Sequence, residues 1–157
     1  MLLIGFPMRS PAQQKLILHL FLHSANLLDL VIQEDLRKIG ISHEQARYLD
    51  GLVNHGPISI SALSKGIRAS QPAVTTMIVR LEALGLGRRE THPTDRRIVL
   101  VSVTKKGKKA WERAMAVWKK VECRLLAGLS SEQIAHLHDQ LLFLRNRLGG
   151  HSPFASR

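Results

Sequence analysis

The chain has 157 residues, of which 45% are hydrophobic and 4% aromatic, and its formal charge at neutral pH is +11. That length suits one domain, or a small domain plus an oligomerisation element, with a core filled by aliphatic side chains. Cys123 is the single cysteine. An intramolecular disulfide is therefore excluded, which fits a reducing cytoplasm, and the charge points to a polyanionic partner.

Residues 1–11 read as a loose tail. No basic segment precedes their apolar run, and the run from Leu16 to Leu22 is interrupted by His19. Neither reads as a signal peptide or a membrane span. From Ala12 to Ile39 the pattern is helical. Leu16, Leu20, Leu27, Leu28, Val31 and Ile32 form its apolar stripe, and Gly40 is its C-terminal cap. Ser42 caps a second helix that reaches about Val53, and His55-Gly56-Pro57 breaks it.

A short helix is predicted over Ser59–Arg68 and closes in a turn. The next runs over Ser70–Leu84, with Ser70 as N-cap and Pro72 in the first turn. After Gly85-Leu86-Gly87 come a strand at Arg88–Thr91, a turn over His92–Arg96 and a return strand at Arg97–Val103. Thr104 caps a long helix holding Trp111, Met115, Trp118, Val121 and Leu125, and Gly128 ends it. Ser130 or Ser131 starts the last helix. There Ile134, Leu137, Leu141, Leu144 and Leu148 repeat at three-four spacing, the seam of a coiled-coil-like contact, until Gly149-Gly150.

This order predicts a mainly α fold with a small β-wing: a winged helix-turn-helix, which holds one helix in a DNA groove. The winged module spans 42–104, and a helical region comprises 12–39 and 105–148. Flexible tails are expected at 1–11 and 149–157. The stretch from Ser61 to Lys120 holds fourteen Lys and Arg against four acids, which accounts for ten of the eleven net positive charges. A basic middle between nearly neutral ends is the electrostatic footprint of a DNA-facing module. The apolar terminal helices cannot all pack on one small winged helix, so the expected partner is a second copy of the chain. A twofold homodimer suits palindromic double-stranded DNA.

Four motifs together resemble the multiple-antibiotic-resistance regulator (MarR) family. Ser70-Gln-Pro-Ala-Val-Thr75 looks like the start of its recognition helix, and Arg80-Leu-Glu-Ala-Leu-Gly-Leu86 like the helix end and entry to the wing. Asp95-Arg96-Arg97 resembles the wing tip, and Val103-Thr104-Lys-Lys-Gly107 the start of the next helix. The resemblance covers residues 12 to 148. It implies a homodimeric winged helix-turn-helix joined through its first, fifth and sixth helices, acting as a transcriptional regulator and usually as a repressor. It also implies a small aromatic acid, a metal or an oxidant as effector, in a pocket between the dimer helices and the winged helix. The first helix has no cysteine, which argues against the family's cysteine-based organic-peroxide sensors.

In the recognition helix, Ser70, Gln71, Pro72, Thr75, Thr76 and Arg80 are the candidate DNA-binding residues, with Val74, Met77, Ile78 and Leu81 facing inward. The competing reading of the polar set is a solvated helix face. Arg97 resembles the family's minor-groove arginine, and Asp95 reads as its brace or as a turn former. Lys65, Arg88, Arg89 and Arg96 are candidate phosphate contacts. His19 and His23, at i and i+4, form a weak metal pair, and no cofactor is expected. Trp111 and Trp118 read as core before pocket, and Cys123 as a small buried hydrophobe before an oxidant sensor. No catalytic constellation stands out, so an enzyme is the weakest reading. The main alternative is a winged-helix protein-interaction module without sequence-specific DNA binding.

Overall fold

The computed structural model describes residues 11–150, and their side chains from residue 17 onward. Of the tails expected at 1–11 and 149–157, residues 1–10 and 151–157 lie outside the described residues, as does the Leu16 side chain. The element order is α1 Pro11–Lys38, α2 His43–His55, β1 Ile58–Ser59, α3 Ile60–Ile67, α4 Gln71–Ala83, β2 Gly87–Thr91, β3 Val99–Val103, α5 Lys105–Leu125 and α6 Ser131–Arg147.

Each helix after α1 begins where a hydroxyl accepts from the first turn. Ser42 and Ser130 form reciprocal capping boxes with Gln45 and Gln133, while Ser59, Ser70 and Thr104 each accept one backbone N–H. These oxygens satisfy donors that the helix leaves orphaned. α1 stops at Gly40, whose left-handed φ of +73° lets Gly40 N–H donate to the Arg37 carbonyl and Ile41 N–H to that of Leu36.

The expected β2–β3 hairpin forms, with Gly87 opposite Val103 and Thr91 opposite Val99, and β1 adds a third antiparallel strand in order β1-β3-β2, with Ile58 opposite Val101 and Ser59 opposite Leu100. A two-residue strand is too short to show alternation in sequence. The return strand begins at Val99, not Arg97. Ile98 N–H donates to the Asp95 carbonyl and His92 N–H to that of Ile98, so the turn claims Arg97 and Ile98. The second helix also runs to His55, two residues past its expected end.

One core holds the winged module together. Val74, Met77, Ile78 and Leu81 of α4 meet Leu49, Leu52, Leu63 and Val101, all buried. The core continues across the 104/105 boundary, because Leu36 of α1 and Ala110 and Ala114 of α5 belong to it. α5 starts hard against the end of α4. A Cβ on Gly107 would stand 1.9 Å from the Leu86 carbonyl oxygen, so only glycine fits there. Thr104 Oγ1 accepts from Gly107 N–H at 3.0 Å and donates to the Gly85 carbonyl at 2.7 Å. Lys106 Nζ donates to the Leu84 carbonyl at 2.8 Å.

The terminal helices differ from this. α6 contains no buried residue: Leu137, Leu141, Phe143 and Leu144 are all exposed on it, as is Leu148 just past its end. Leu18, Leu20, Phe21 and Leu27 are exposed on α1.

Candidate nucleic-acid interface

α4 presents two distinct faces. Its buried stripe, Val74, Met77, Ile78 and Leu81, is the inward one that the sequence pattern requires. Ser70, Gln71, Pro72, Thr75, Thr76 and Arg80 are all exposed. Ser70 Oγ accepts from Ala73 N–H at 3.3 Å, which leaves a capped helix N-terminus at the surface. Thr75 and Thr76 donate their hydroxyl protons to the carbonyls of Gln71 and Pro72, at 2.9 and 3.0 Å. Toward a ligand they therefore offer methyl groups and acceptor lone pairs. The side chains of Gln71 and Arg80 have no hydrogen-bond or ion-pair partner among the described residues, so their polar groups are available.

The wing tip is built around two acceptors. His92 Nδ1 accepts from the backbone N–H groups of Thr94 and Asp95, both at 3.3 Å. Asp95 Oδ1 accepts from Arg97 N–H at 3.0 Å and lies 3.6 Å from Arg97 Nε. Asp95 thus braces the backbone that carries Arg97, through the two-residue contact of a turn former. The Arg97 side chain stays 95% exposed and reaches outward from that fixed base. Arg96 and Lys65 are exposed, with no partner among the described residues.

Residues 41–99 match the model of the MarR family. The chain is 32% identical over 111 residues to the HTH-type transcriptional repressor MdtR of Bacillus subtilis, covering 69% of this chain and 72% of that protein. The chain belongs to the MarR family. It is thus a member of a family of winged-helix transcriptional regulators. Its fold is similar to that of the Bacillus subtilis YusO protein, with a TM-score of 0.69 and 28% identity over 85% of this chain and 98% of that one. It also resembles a mutant MarR from E. coli complexed with operator DNA, with a TM-score of 0.73 and 24% identity over 87% of this chain and 99% of that one.

Within this MarR-family fold, two wing arginines are already engaged. Arg89 is held by Glu82 at the end of α4: its backbone N–H and Nε donate to the two carboxylate oxygens at 3.0 and 2.7 Å. Arg88 Nε meets Ser102 Oγ at 3.0 Å and Glu90 Oε1 at 2.8 Å, and Ser102 Oγ donates to Glu90 at 2.8 Å. Sequence reading treated both arginines as free cations and missed Glu82 and Glu90. The Glu82 clasp spans seven residues across a helix–strand junction. No helical or strand periodicity reports such a contact.

Arg68 was missed as well. It closes α3 with a left-handed φ of 53°, unusual for a side chain of that size, and its guanidinium donates to the Gly149 carbonyl beyond α6. Arg47 Nη2 donates to the Ile67 carbonyl beside it at 3.3 Å. The turn between α3 and α4 is thus tied both to α2 and to the end of α6.

The remaining candidates separate clearly. His19 and His23 are exposed on α1 with near-parallel rings whose centroids are 6.3 Å apart. No group of three or more His, Cys, Asp or Glu gathers among the described residues. Cys123 is exposed on α5, which corrects its reading as a small buried hydrophobe. Trp111 is half-buried, and its indole N–H donates to Asp50 Oδ1 of α2 at 3.0 Å, so it is a structural tie. Trp118 packs against the core, but its indole N–H is buried without a partner among the described residues. It lines a groove of about 600 Å³ with Leu28, Ile32, Val121, Leu137 and Leu141, between α1, α5 and α6.

Asp35 links α1 to α5. It accepts from Lys38 at 2.7 Å and lies 3.6 Å from Arg124. The Lys38 hydrogen bond, aided by nearby cations, holds its carboxyl below the usual carboxylate range. No helix among the described residues is long and apolar enough to cross a membrane.

Proposed function

We propose that the chain is a cytoplasmic homodimer that binds an imperfect palindrome in double-stranded DNA and represses transcription there, without catalytic activity. One observation carries this reading: the face of α4 opposite the core keeps Gln71 and Arg80 free, beside a braced wing tip whose Arg97 is 95% exposed. α4 lies in the major groove, where Gln71, Thr75, Thr76 and Arg80 meet base edges, and the helix start at Ser70 and Pro72 meets phosphate. Arg97, oriented by Asp95, enters the minor groove, and Lys65 and Arg96 bind the backbone. Arg88 and Arg89 approach phosphate as members of ion pairs and so contribute less than free cations. The E. coli MarR mutant of similar fold is complexed with operator DNA, which supports duplex DNA as the partner.

The dimerisation region comprises 12–39 and 105–148. Covering the apolar faces of α1 and α6 with a second copy stabilises the pair by about 1.5–3 kcal/mol per large side chain fully buried. The groove beside Trp118 is the place for an effector, an apolar molecule with one acceptor for the free indole N–H. His19 and His23 are not assigned a metal.

The test is selection of bound duplexes from random DNA by the purified full chain, followed by titration at several salt concentrations. A palindromic consensus, and a log-log salt slope of several units, are the expected results. Binding with no preferred sequence returns the chain to the alternative of a protein-interaction module.

A further inference from the structure

The exposed face of α4 is not simply polar. Pro72, Thr76, Val79 and Ala83 are spaced four, three and four residues apart, so they form one ridge along the helix. All four are exposed, and Val79 is 48% accessible. The ridge lies opposite the buried stripe of Val74, Met77, Ile78 and Leu81, so α4 carries apolar groups on both faces. Thr76 adds to the apolar character, because its hydroxyl proton is spent on the Pro72 carbonyl.

The surroundings of the ridge are cationic. Arg80 flanks it, and Lys65 is exposed on the preceding helix. The one acid of α4, Glu82, is turned to Arg89. A protein partner for an apolar strip has no need of this charge field. A polyanion that displays small apolar groups does. In the major groove of duplex DNA the group of that kind is the 5-methyl of thymine.

We propose that the ridge Pro72–Thr76–Val79–Ala83 reads thymine methyl groups in the major groove, with Val79 as a specificity-determining contact. This rests on the reading of α4 as the helix that enters the groove. Gln71 reads by hydrogen bonds at the helix start, and Val79 reads by apolar contact two turns later. Each half-site then carries a thymine at the position that Val79 meets.

The experiment uses the full-length protein and the palindromic duplex selected from random DNA. Each thymidine in turn is replaced by deoxyuridine, which removes only the methyl, and dissociation constants are measured by fluorescence anisotropy at fixed salt. Wild type is expected to lose about fourfold at one or two thymines per half-site, as about 0.8 kcal/mol per buried methyl-sized group implies. Val79→Ala should bind the thymidine and deoxyuridine duplexes alike at those positions. Its fold is preserved, since Val79 is exposed and alanine is the better helix former, and circular dichroism checks this. Arg97→Ala should weaken both duplexes equally and keep the wild-type ratio.

Two results overturn the proposal alone: a wild-type protein indifferent to every deoxyuridine, as expected if the ridge docks another protein, or a Val79→Ala variant that keeps the ratio. If selection yields no preferred sequence at all, the DNA-reading role of α4 falls as well.

Discussion

The winged module and the terminal helices solve the burial problem in opposite ways. Around α4 the apolar side chains find partners within the chain: Leu49, Leu52, Leu63, Val74, Ile78, Leu81 and Val101 are all buried. Along α6 none is buried: Ile134 and Leu142 are half-covered, Leu141 stays 45% exposed and Leu148, just past the helix, 78%. Charge divides differently: α1 and α6 are each neutral overall, and of the ten net positive charges between Ser61 and Lys120 six lie on the first sixteen residues of α5. One region buries its apolar side chains within a single chain. The other is nearly neutral and unfinished.

Substitutions can break this contrast at points of decreasing severity. The largest effect is expected at Gly107→Ala, because the new methyl meets a backbone oxygen that no rotamer can move. Thermal unfolding should report a loss of more than about 3 kcal/mol, at the severe end for overpacking. A variant that melts within a degree or two of wild type contradicts the close approach of α5 to Leu86.

Next comes the double substitution Leu137→Glu and Leu141→Glu on α6. Analytical ultracentrifugation should find a monomer that keeps the helical circular dichroism of wild type, since neither residue is buried within the chain. Placing unpaired carboxylates in an apolar contact costs about 3 kcal/mol or more. A variant that remains a dimer moves the interface elsewhere.

Arg97→Ala tests the outward half of the contrast. It should lower operator affinity roughly tenfold to a hundredfold, in line with about 1.5–3 kcal/mol for a hydrogen bond to a charged group. The melting temperature should not move, because the side chain is 95% exposed.

The smallest effect belongs to Glu82→Gln. It loosens the clasp between α4 and β2 at its charged contact with Arg89. Stability should fall by less than about 1 kcal/mol, as for other partly exposed pairs. Operator affinity should rise a few-fold and the salt slope should steepen, as Arg89 becomes free to meet phosphate. An unchanged slope indicates that Arg89 stays away from the duplex.

Much of the site was legible beforehand for local reasons. Ser70 and Pro72 announce a helix start, and the spacing of Val74, Met77, Ile78 and Leu81 assigns one face of α4 to the core. By elimination the same spacing sends Gln71, Thr76 and Arg80 outward. Asp95 as a brace is a contact two residues long, within reach of turn chemistry. The same wheel places Val79 outward, but an apolar side chain carries no hydrogen-bonding group that would mark it as a contact.

The amino-acid sequence determined the helices and their caps, the two faces of α4, the basic middle and the surplus of apolar surface at the ends. Each of these is settled within a few turns of backbone, where periodicity and capping act. Tertiary structure alone decided that β1 pairs with β3, that Glu82 and Glu90 engage two arginines, that Arg68 reaches Gly149 and that α5 begins against Leu86. Those contacts join segments that no local pattern relates, and they form only once packing of the common core has brought the segments together.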